Sequence, residues 1–124
     1  METILLSIRP EYVELILLGT KQYEYRRKLA NKPIGRIVIY ATNPVMHVVG
    51  EVQVLGTFSD SPSLLWEQTK SNAGISRAKY RDYFRGCETA YAYRLGKVTK
   101  YAESKKLIEL DIKHPPQSFV YLTS

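Results

Sequence analysis

Cysteine and histidine are scarce in this chain of 124 residues, which contains one cysteine and two histidines. A single thiol, Cys87, excludes an intramolecular disulfide and any multi-cysteine zinc site. The two histidines, His47 and His114, are far apart in the sequence, and no carboxylates at metal-ligand spacing accompany them. We therefore expect no metal site and no cofactor, and a reducing compartment, most simply the cytoplasm.

Long apolar runs and the common catalytic motifs are also missing. No apolar run approaches the ~18–20 residues that span a bilayer, and the N-terminus lacks the regions of a signal peptide. There is no Walker phosphate loop, no dinucleotide-binding glycine fingerprint and no nucleophile elbow. The length and the ordinary proportion of apolar residues, 44%, predict one globular domain over residues 1–124 without membrane association.

Positive charge and tyrosine, in contrast, are abundant. The net charge is +6, and ten residues are tyrosine. Two segments concentrate the charge: residues 21–40 have six basic residues and one acidic residue, and residues 77–85 have four and one. A basic, tyrosine-rich domain is typical of nucleic-acid binding, in which cations meet phosphates and rings stack on bases. The tyrosines are also consistent with packing in a β core.

The spacing of apolar, proline and glycine residues predicts a mixture of strands and helices. The predicted helices run from Pro10 to Gly19, from Ser61 to Gly74 and from Ser76 to Gly86. The predicted strands are Ile4–Ile8, Tyr23–Arg27, Arg36–Ala41, Met46–Phe58, Glu88–Leu95, Val98–Ile112 and Ser118–Leu122. This order predicts an α+β fold, with a small, strongly bent sheet or barrel decorated by helices.

The segment between the first helix and the second strand holds an unusual group of side chains. Gly19 allows the helix to end sharply, which places Lys21 near the helix C-terminus. Glu24 and Arg26 alternate with tyrosines and therefore share one face of the strand. If this face lines a cleft, the three ionisable groups need each other or a ligand as partners, which is typical of a polar pocket for a base or phosphate. The alternative is a solvated edge strand with an ordinary Glu–Arg pair.

These residues resemble the signature of the ASCH domain, a family of the PUA-like superfamily. The signature is a glycine, a lysine two residues later, a threonine or similar residue, and an arginine. In this chain it reads Gly19, Lys21, Glu24 and Arg26. The resemblance extends over most of the chain, in the further segments Leu5–Pro10, Ile37–Pro44, Val49–Val52, Tyr83–Gly86 and Pro115–Leu122. The last two of these segments are similar to a small prokaryotic single-domain subgroup.

The resemblance implies a PUA-like mixed β-barrel of about six strands decorated by about three helices, with a cleft beside the first helix. Members of this superfamily bind RNA or modified nucleobases, and some ASCH domains are enzymes. One branch is similar to an amidohydrolase that removes the acetyl group from N4-acetylcytidine with the motif lysine, the threonine and a glutamate elsewhere. Lys21 matches that lysine, but Glu24 stands at the threonine position and has no hydroxyl nucleophile. Thr20 lies on a different part of the turn, so that mechanism does not transfer.

A nucleic-acid-binding domain for RNA or a modified nucleotide, with a basic cleft beside the first helix, is the predicted function. Lys21 and Arg26 would hold a phosphate or a base carbonyl, and Glu24 would orient Arg26 or accept from a base amino group. In the alternative of a small hydrolase of a modified nucleoside or RNA, Lys21 or Glu24 would be the general base. The family also contains a branch that resembles a ribonuclease, for which no residues match beyond the fold. A protein-interaction domain that uses the same cleft is a third interpretation.

The other predicted ligand-binding residues lie outside the signature positions. Arg27 belongs to the first basic segment. Glu51 follows a glycine, where a ligand could approach the backbone, and its alternative is a solvent-facing strand position. Three tyrosines are predicted stacking surfaces for bases, with core packing as the alternative for each. They are Tyr23, Tyr25 and Tyr40.

Overall fold

The structure is a computed structural model that describes residues 1–123. The strands are β1 (Glu2–Ile8), β2 (Tyr23–Arg26), β3 (Ile34–Ala41), β4 (His47–Asp60), β5 (Ala90–Lys105) and β6 (Phe119–Leu122). The helices are α1 (Pro10–Leu17), α2 (Pro62–Thr69) and α3 (Arg77–Tyr83), with short 3-10 helices at Lys70–Asn72 and Leu107–Leu110. The predicted α+β class, with about six strands and three helices, is confirmed.

All six strands form one mixed sheet in the order β2-β5-β4-β3-β1-β6. β1 pairs in parallel with β3, and the other pairings are antiparallel. Within residues 1–123 the two end strands, β2 and β6, are not paired with each other. Arg26 connects the ends instead, because its guanidinium on β2 donates to the carbonyl oxygen of Ser7 on β1 at 2.9 Å and to Oγ of Ser118, just before β6, at 3.5 Å.

The central strands are buried on both faces, as their continuous apolar sequence predicts. On β1, Ile4, Leu6 and Ile8 belong to the main core. The α1 residues Val13 and Ile16 pack into that same core. The opposite face carries a separate cluster, whose buried members are Leu5, Val38, Tyr40 and Val48. The sheet therefore separates two apolar clusters, and side chains that alternate along a strand enter different ones.

Local capping signals start the helices at the predicted positions. Pro10 occupies the first turn of α1, where its missing N–H loses no hydrogen bond. Ser61 and Ser76 cap α2 and α3, and each Oγ accepts a hydrogen bond from a backbone N–H in the first turn. The second helix is shorter than predicted, since α2 ends at Thr69 and a 3-10 turn follows. No helix in the described residues is long and apolar enough to cross a membrane.

The prediction of two separate strands over residues 88–95 and 98–112 is wrong. They form one strand, β5, because pairing with β4 continues on both sides of Gly96, with Val54 opposite Leu95 and Val52 opposite Val98. Shifts in register absorb the extra residues, so the glycine marks an irregularity inside a strand rather than a turn.

The end of the strand predicted to reach Ile112 is also wrong. The chain leaves the sheet at Lys105, and residues Leu107–Leu110 form a 3-10 helix. The Glu109 carboxylate accepts a hydrogen bond from the backbone N–H of Lys106 at 2.7 Å, which caps this helix. Leu107, Leu110 and Ile112 pack on the cluster around Tyr40, so an apolar pattern that indicates a strand here covers the sheet instead.

Candidate functional site

A cleft lies between the N-terminal side of α1, strand β2 and helix α3. Its volume is about 470 Å³. The residues that line it are Ser7, Ile8, Arg9, Tyr12, Lys21, Glu24, Tyr25, Arg26, Arg27, Ile75, Lys79, Asp82 and Tyr83. The signature residues Lys21, Glu24 and Arg26 therefore meet in one concave site, together with residues from three other parts of the chain.

Lys21 is the most buried cation of the cleft, with 3% of its surface exposed. The turn after α1, with Gly19 at φ +83°, directs it inward. Its Nζ donates to the carbonyl oxygen of Ala73 at 2.7 Å and lies 5.3 Å and 4.9 Å from the ring centroids of Tyr12 and Tyr25. Burial lowers the pKa of the Lys21 amine, and nearby Arg26 adds to this effect while Glu24 opposes it. The site thus holds an amine that loses its proton more readily than an exposed lysine.

Glu24 and Arg26 form an ion pair in the cleft, as their alternation along β2 predicts. Arg26 Nη2 lies 3.0 Å from Glu24 Oε2, and Arg26 Nε donates to the same oxygen at 3.1 Å. Only 14% of the arginine side chain and 9% of the glutamate side chain are exposed. Since Arg26 also donates to the Ser7 carbonyl oxygen, its guanidinium is held at a fixed orientation. The pair offers a ligand a rigid array of donors and one carboxylate acceptor.

The two basic segments of the sequence share this cleft at its mouth. Arg27, after β2, stacks on Tyr83 of α3, with the guanidinium carbon 4.4 Å from the ring centroid. Its Nε also donates to the Tyr83 carbonyl oxygen at 2.8 Å. Lys79 of α3 pairs with Glu11 of α1 at 3.3 Å, and both side chains are more than half exposed. Contacts from β2 and α1 to α3 therefore place exposed cations on the rim.

Cations outnumber carboxylates in the lining of the cleft. Five basic side chains face two acidic ones. Both acidic side chains are already neutralised by arginines, Glu24 by Arg26 and Asp82 by Arg85 at 2.6 Å. The basic side chains are Arg9, Lys21, Arg26, Arg27 and Lys79. This surplus favours an anionic ligand. Among residues 1–123, no group of three or more His, Cys, Asp or Glu side chains is arranged to hold a metal ion.

Three of the predicted binding residues lie away from the cleft. Tyr23 packs beside Phe58, with ring centroids 5.8 Å apart. Tyr40 is 2% exposed in the cluster on the opposite face of the sheet, which leaves no ring surface for a base. Glu51 accepts from Arg36 at 3.1 Å and from the Tyr101 hydroxyl at 2.9 Å, outside the cleft. Tyr25 does line the cleft, and it is also a buried member of the cluster with Tyr80 and Phe84.

Three further lining residues, Tyr12, Lys79 and Tyr83, were not predicted as part of the site. Tyr12 belongs to the apolar stripe of α1, and its ring lies beside Lys21 in the cleft. Tyr83 and Lys79 come from α3, on the other side of the cleft from β2. The proximity of Tyr83 to Arg27 joins positions far apart in the chain, which no local pattern encodes. The one available signal was the mixture of basic and aromatic residues along α3, which marks the helix as a candidate for binding but not its place beside β2.

Comparisons with known proteins agree on one family. The ASCH domain family matches residues 6–108. A Zymomonas mobilis protein described as an ASCH domain-containing ribonuclease is 33% identical over 121 residues, which are 94% of this chain and 82% of that protein. The crystal structure of ASCH from Zymomonas mobilis has a TM-score of 0.90 and 31% identity, over 98% of this chain and 88% of that one.

A longer protein also matches, an ATP synthase subunit alpha of Ureaplasma parvum. It is 30% identical over 98% of this chain, but the chain spans only 15% of that protein's length. The match therefore concerns a small part of a larger protein, and it carries no argument about the function of the cleft.

Proposed function

Because the chain belongs to the ASCH domain family, we propose that its cleft binds RNA. The observation that carries the proposal is the lining of the cleft, where five cationic side chains meet three tyrosine rings and only two carboxylates, both paired. Phosphates and bases need these two kinds of surface. The description of the Zymomonas mobilis relative as a ribonuclease supports RNA as the ligand.

The rim and the interior of the cleft would take different parts of the RNA. Arg27 and Lys79 are exposed at the mouth and suit the phosphates of the backbone. Arg26, fixed by Glu24 and by the β1 backbone, suits a phosphate or a base carbonyl that enters the interior. The volume of about 470 Å³ lies in the range of small-molecule sites and suits one nucleotide unit.

Fluorescence anisotropy with a labelled single-stranded RNA tests this proposal. The matched DNA is measured in parallel, at several salt concentrations. The variant Arg27→Gln/Lys79→Gln removes two exposed rim cations, and Arg94→Gln/Lys100→Gln removes two exposed cations that do not line the cleft. We expect the rim variant to bind RNA at least about tenfold more weakly, since bonds to charged groups contribute about 1.5–3 kcal/mol each. Absence of RNA binding by the wild type at low salt would refute the proposal.

Hydrolysis of RNA in the same cleft is a second candidate, favoured by the buried Lys21. Its lowered pKa increases the neutral fraction of the amine, which is the form that acts as a base. The amine would accept the proton of a ribose 2′-hydroxyl, the 2′-oxygen would bond to phosphorus, and the bond from phosphorus to the 5′-oxygen would break. That oxygen would take the proton back from the ammonium, which leaves a 2′,3′-cyclic phosphate and a 5′-hydroxyl.

Cleavage of an end-labelled RNA separates this candidate from binding alone. We expect the wild type to cleave RNA, to leave DNA intact, and to work faster as pH rises through the lowered pKa of Lys21. Lys21→Met would abolish cleavage, whereas Lys100→Met, a change at an exposed position outside the cleft, would not. RNA that is bound but never cleaved would reject hydrolysis and leave the binding proposal intact. Free N4-acetylcytidine is incubated in parallel, and release of its acetyl group would indicate the alternative function, hydrolysis of a modified nucleoside.

A further inference from the structure

A second groove lies between α2 and α3, on the side of α3 that faces away from the cleft. Its volume is about 600 Å³. Its lining combines aromatic and apolar side chains with arginines, among them Leu64, Trp66, Arg77, Tyr80 and Arg81. Helix α3 thus divides its side chains between two concave surfaces: Lys79, Asp82 and Tyr83 face the cleft, and its other long side chains face the groove.

The floor of the groove is aromatic. Trp66 of α2 packs against Tyr80 of α3 with ring centroids 4.8 Å apart. Tyr80 and Phe84 are buried beneath it, and the Tyr80 hydroxyl is satisfied by the carbonyl oxygen of Pro62 at 2.7 Å. Trp66 is only partly buried, and beside it Leu64 is 54% exposed. The groove therefore presents a tryptophan and an apolar side chain to solvent, on a rigid base.

The walls of the groove are positively charged. Three arginines line it, Arg77 and Arg81 of α3 and Arg85 just after that helix, and Glu67 is the single carboxylate among its lining residues. Glu67 is held by Lys70 at 2.7 Å, and Arg85 by Asp82 at 2.6 Å. Arg77 and Arg81 form no ion pair with any other residue in the described part of the chain. These two guanidinium groups are exposed and available to an anionic partner.

We propose that the groove between α2 and α3 is a second contact surface for single-stranded RNA, reached by an RNA that leaves the cleft and passes over α3. This inference rests on the proposed function of the cleft. Bases would stack on Trp66, and phosphates would pair with Arg77 and Arg81. Both surfaces border α3, which is about 10–12 Å wide, so one RNA strand bound in the cleft can reach the groove, and this favours RNA over an acidic protein segment.

The tryptophan provides a direct test, because Trp66 is the one tryptophan of the chain. Its fluorescence is recorded while RNAs of about four and about twelve nucleotides are added, lengths that bracket common single-strand sites. The proteins are the wild type, Arg77→Gln/Arg81→Gln, and the matched exposed control Arg94→Gln/Lys100→Gln. All of them keep Trp66, and circular dichroism establishes that they fold alike.

We expect the longer RNA to bind the wild type about tenfold more tightly than the shorter one and to quench Trp66. In Arg77→Gln/Arg81→Gln, the longer RNA would bind no better than the shorter one and the quenching would be lost. The slope of log affinity against log salt for the longer RNA would fall by about 1.4, the value for two lost contacts to a single strand. The control would retain the length dependence and the quenching.

Three outcomes would overturn the inference. If Arg77→Gln/Arg81→Gln binds the longer RNA like the wild type while Arg27→Gln/Lys79→Gln does not, the cleft binds RNA and the groove does not. If the wild type binds neither RNA, the proposed function itself fails, and this inference fails with it. If an oligoglutamate peptide quenches Trp66 and RNA does not, the groove belongs to an acidic protein partner.

Discussion

Gly74 and Lys21 are in direct contact, although they come from different loops. A Cβ atom at residue 74 would lie 2.5 Å from Cβ of Lys21 and 2.6 Å from its Cγ. The Lys21 side chain crosses the backbone at this glycine, and its Nζ then bonds to the carbonyl oxygen of the preceding residue, Ala73. The missing side chain at residue 74 therefore allows Lys21 to reach its buried place in the cleft.

Gly74→Ala is expected to destabilise the protein for two reasons. Gly74 has φ +64°, where an L-residue costs about 1–2 kcal/mol, and the clash with Lys21 adds about 1–3 kcal/mol. Gly86→Ala is the matched control, since its φ is +81° and no atom lies within 4 Å of the added Cβ. Urea unfolding measures both variants. Equal losses of stability in the two would show that contact with Lys21 is unimportant.

The ion pair of Glu24 and Arg26 yields a double-mutant cycle. Arg26→Met leaves the buried Glu24 carboxylate without its partner and removes the contact to the β1 backbone, with an expected loss of about 3–5 kcal/mol. Glu24→Gln/Arg26→Met removes the unpaired charge as well, so we expect it to be more stable than Arg26→Met alone. Unfolding free energies of the four proteins give the coupling. If the double variant is no more stable than Arg26→Met, the buried Glu24 carboxylate does not need Arg26 as its partner, and the prediction is wrong.

Half of the cleft was predictable from sequence, because local rules determine it. The glycine after α1 and the alternation along β2 predict that Lys21, Glu24 and Arg26 lie together, and in the structure all three line the cleft. The other half comes from α3, whose Lys79 and Tyr83 meet β2 and α1 only through tertiary packing. The local sequence pattern of a helix or strand does not show which other helices and strands pack against it.

The burial of Tyr40 was also not predictable from local sequence patterns. Alternation along β3 identifies the face that carries Tyr40, but it does not identify what covers that face. The cover is the segment after β5, whose apolar pattern indicates a strand and which folds as a 3-10 helix against the sheet. A burial prediction for Tyr40 therefore needed the correct structure of a segment far along the chain.

Lys21→Met is expected to change how stability depends on pH. Since burial lowers the pKa of Lys21, the unfolded chain binds a proton that the folded chain lacks between that lowered pKa and the ordinary 10.5. In this window the free energy of unfolding of the wild type rises with pH, and Lys21→Met lacks this contribution. The stability of Lys21→Met relative to the wild type should thus be greatest below the lowered pKa and decrease as pH rises toward 10.5. Urea unfolding over this range measures it, and a pH-independent difference would contradict the lowered pKa.

The Tyr25 hydroxyl makes the last prediction, because its hydrogen bond has one possible direction. The Thr69 hydroxyl donates to the Leu65 carbonyl oxygen at 2.7 Å, so Tyr25 is the donor in its 2.6 Å bond to Thr69 Oγ1. Tyr25→Phe loses that bond while Thr69 keeps its own acceptor, and the expected loss is about 1 kcal/mol. Tyr91→Phe, at a partly buried tyrosine of β5, serves as the control.

The buried Tyr25 hydroxyl also makes the stability of the protein depend on pH. Burial raises the pKa of Tyr25 to about 12, so the folded protein keeps this proton where the unfolded chain, with an ordinary pKa of 10.0, releases it. The stabilisation is therefore fully present below pH 10.0 and is lost as pH rises through about 12. The difference in unfolding free energy between the wild type and Tyr25→Phe should be constant up to about pH 10.0, decline between pH 10.0 and about 12, and level off above that. Ultraviolet titration of phenolate in both proteins checks the assignment, because the wild type alone should show the late-ionising group at residue 25.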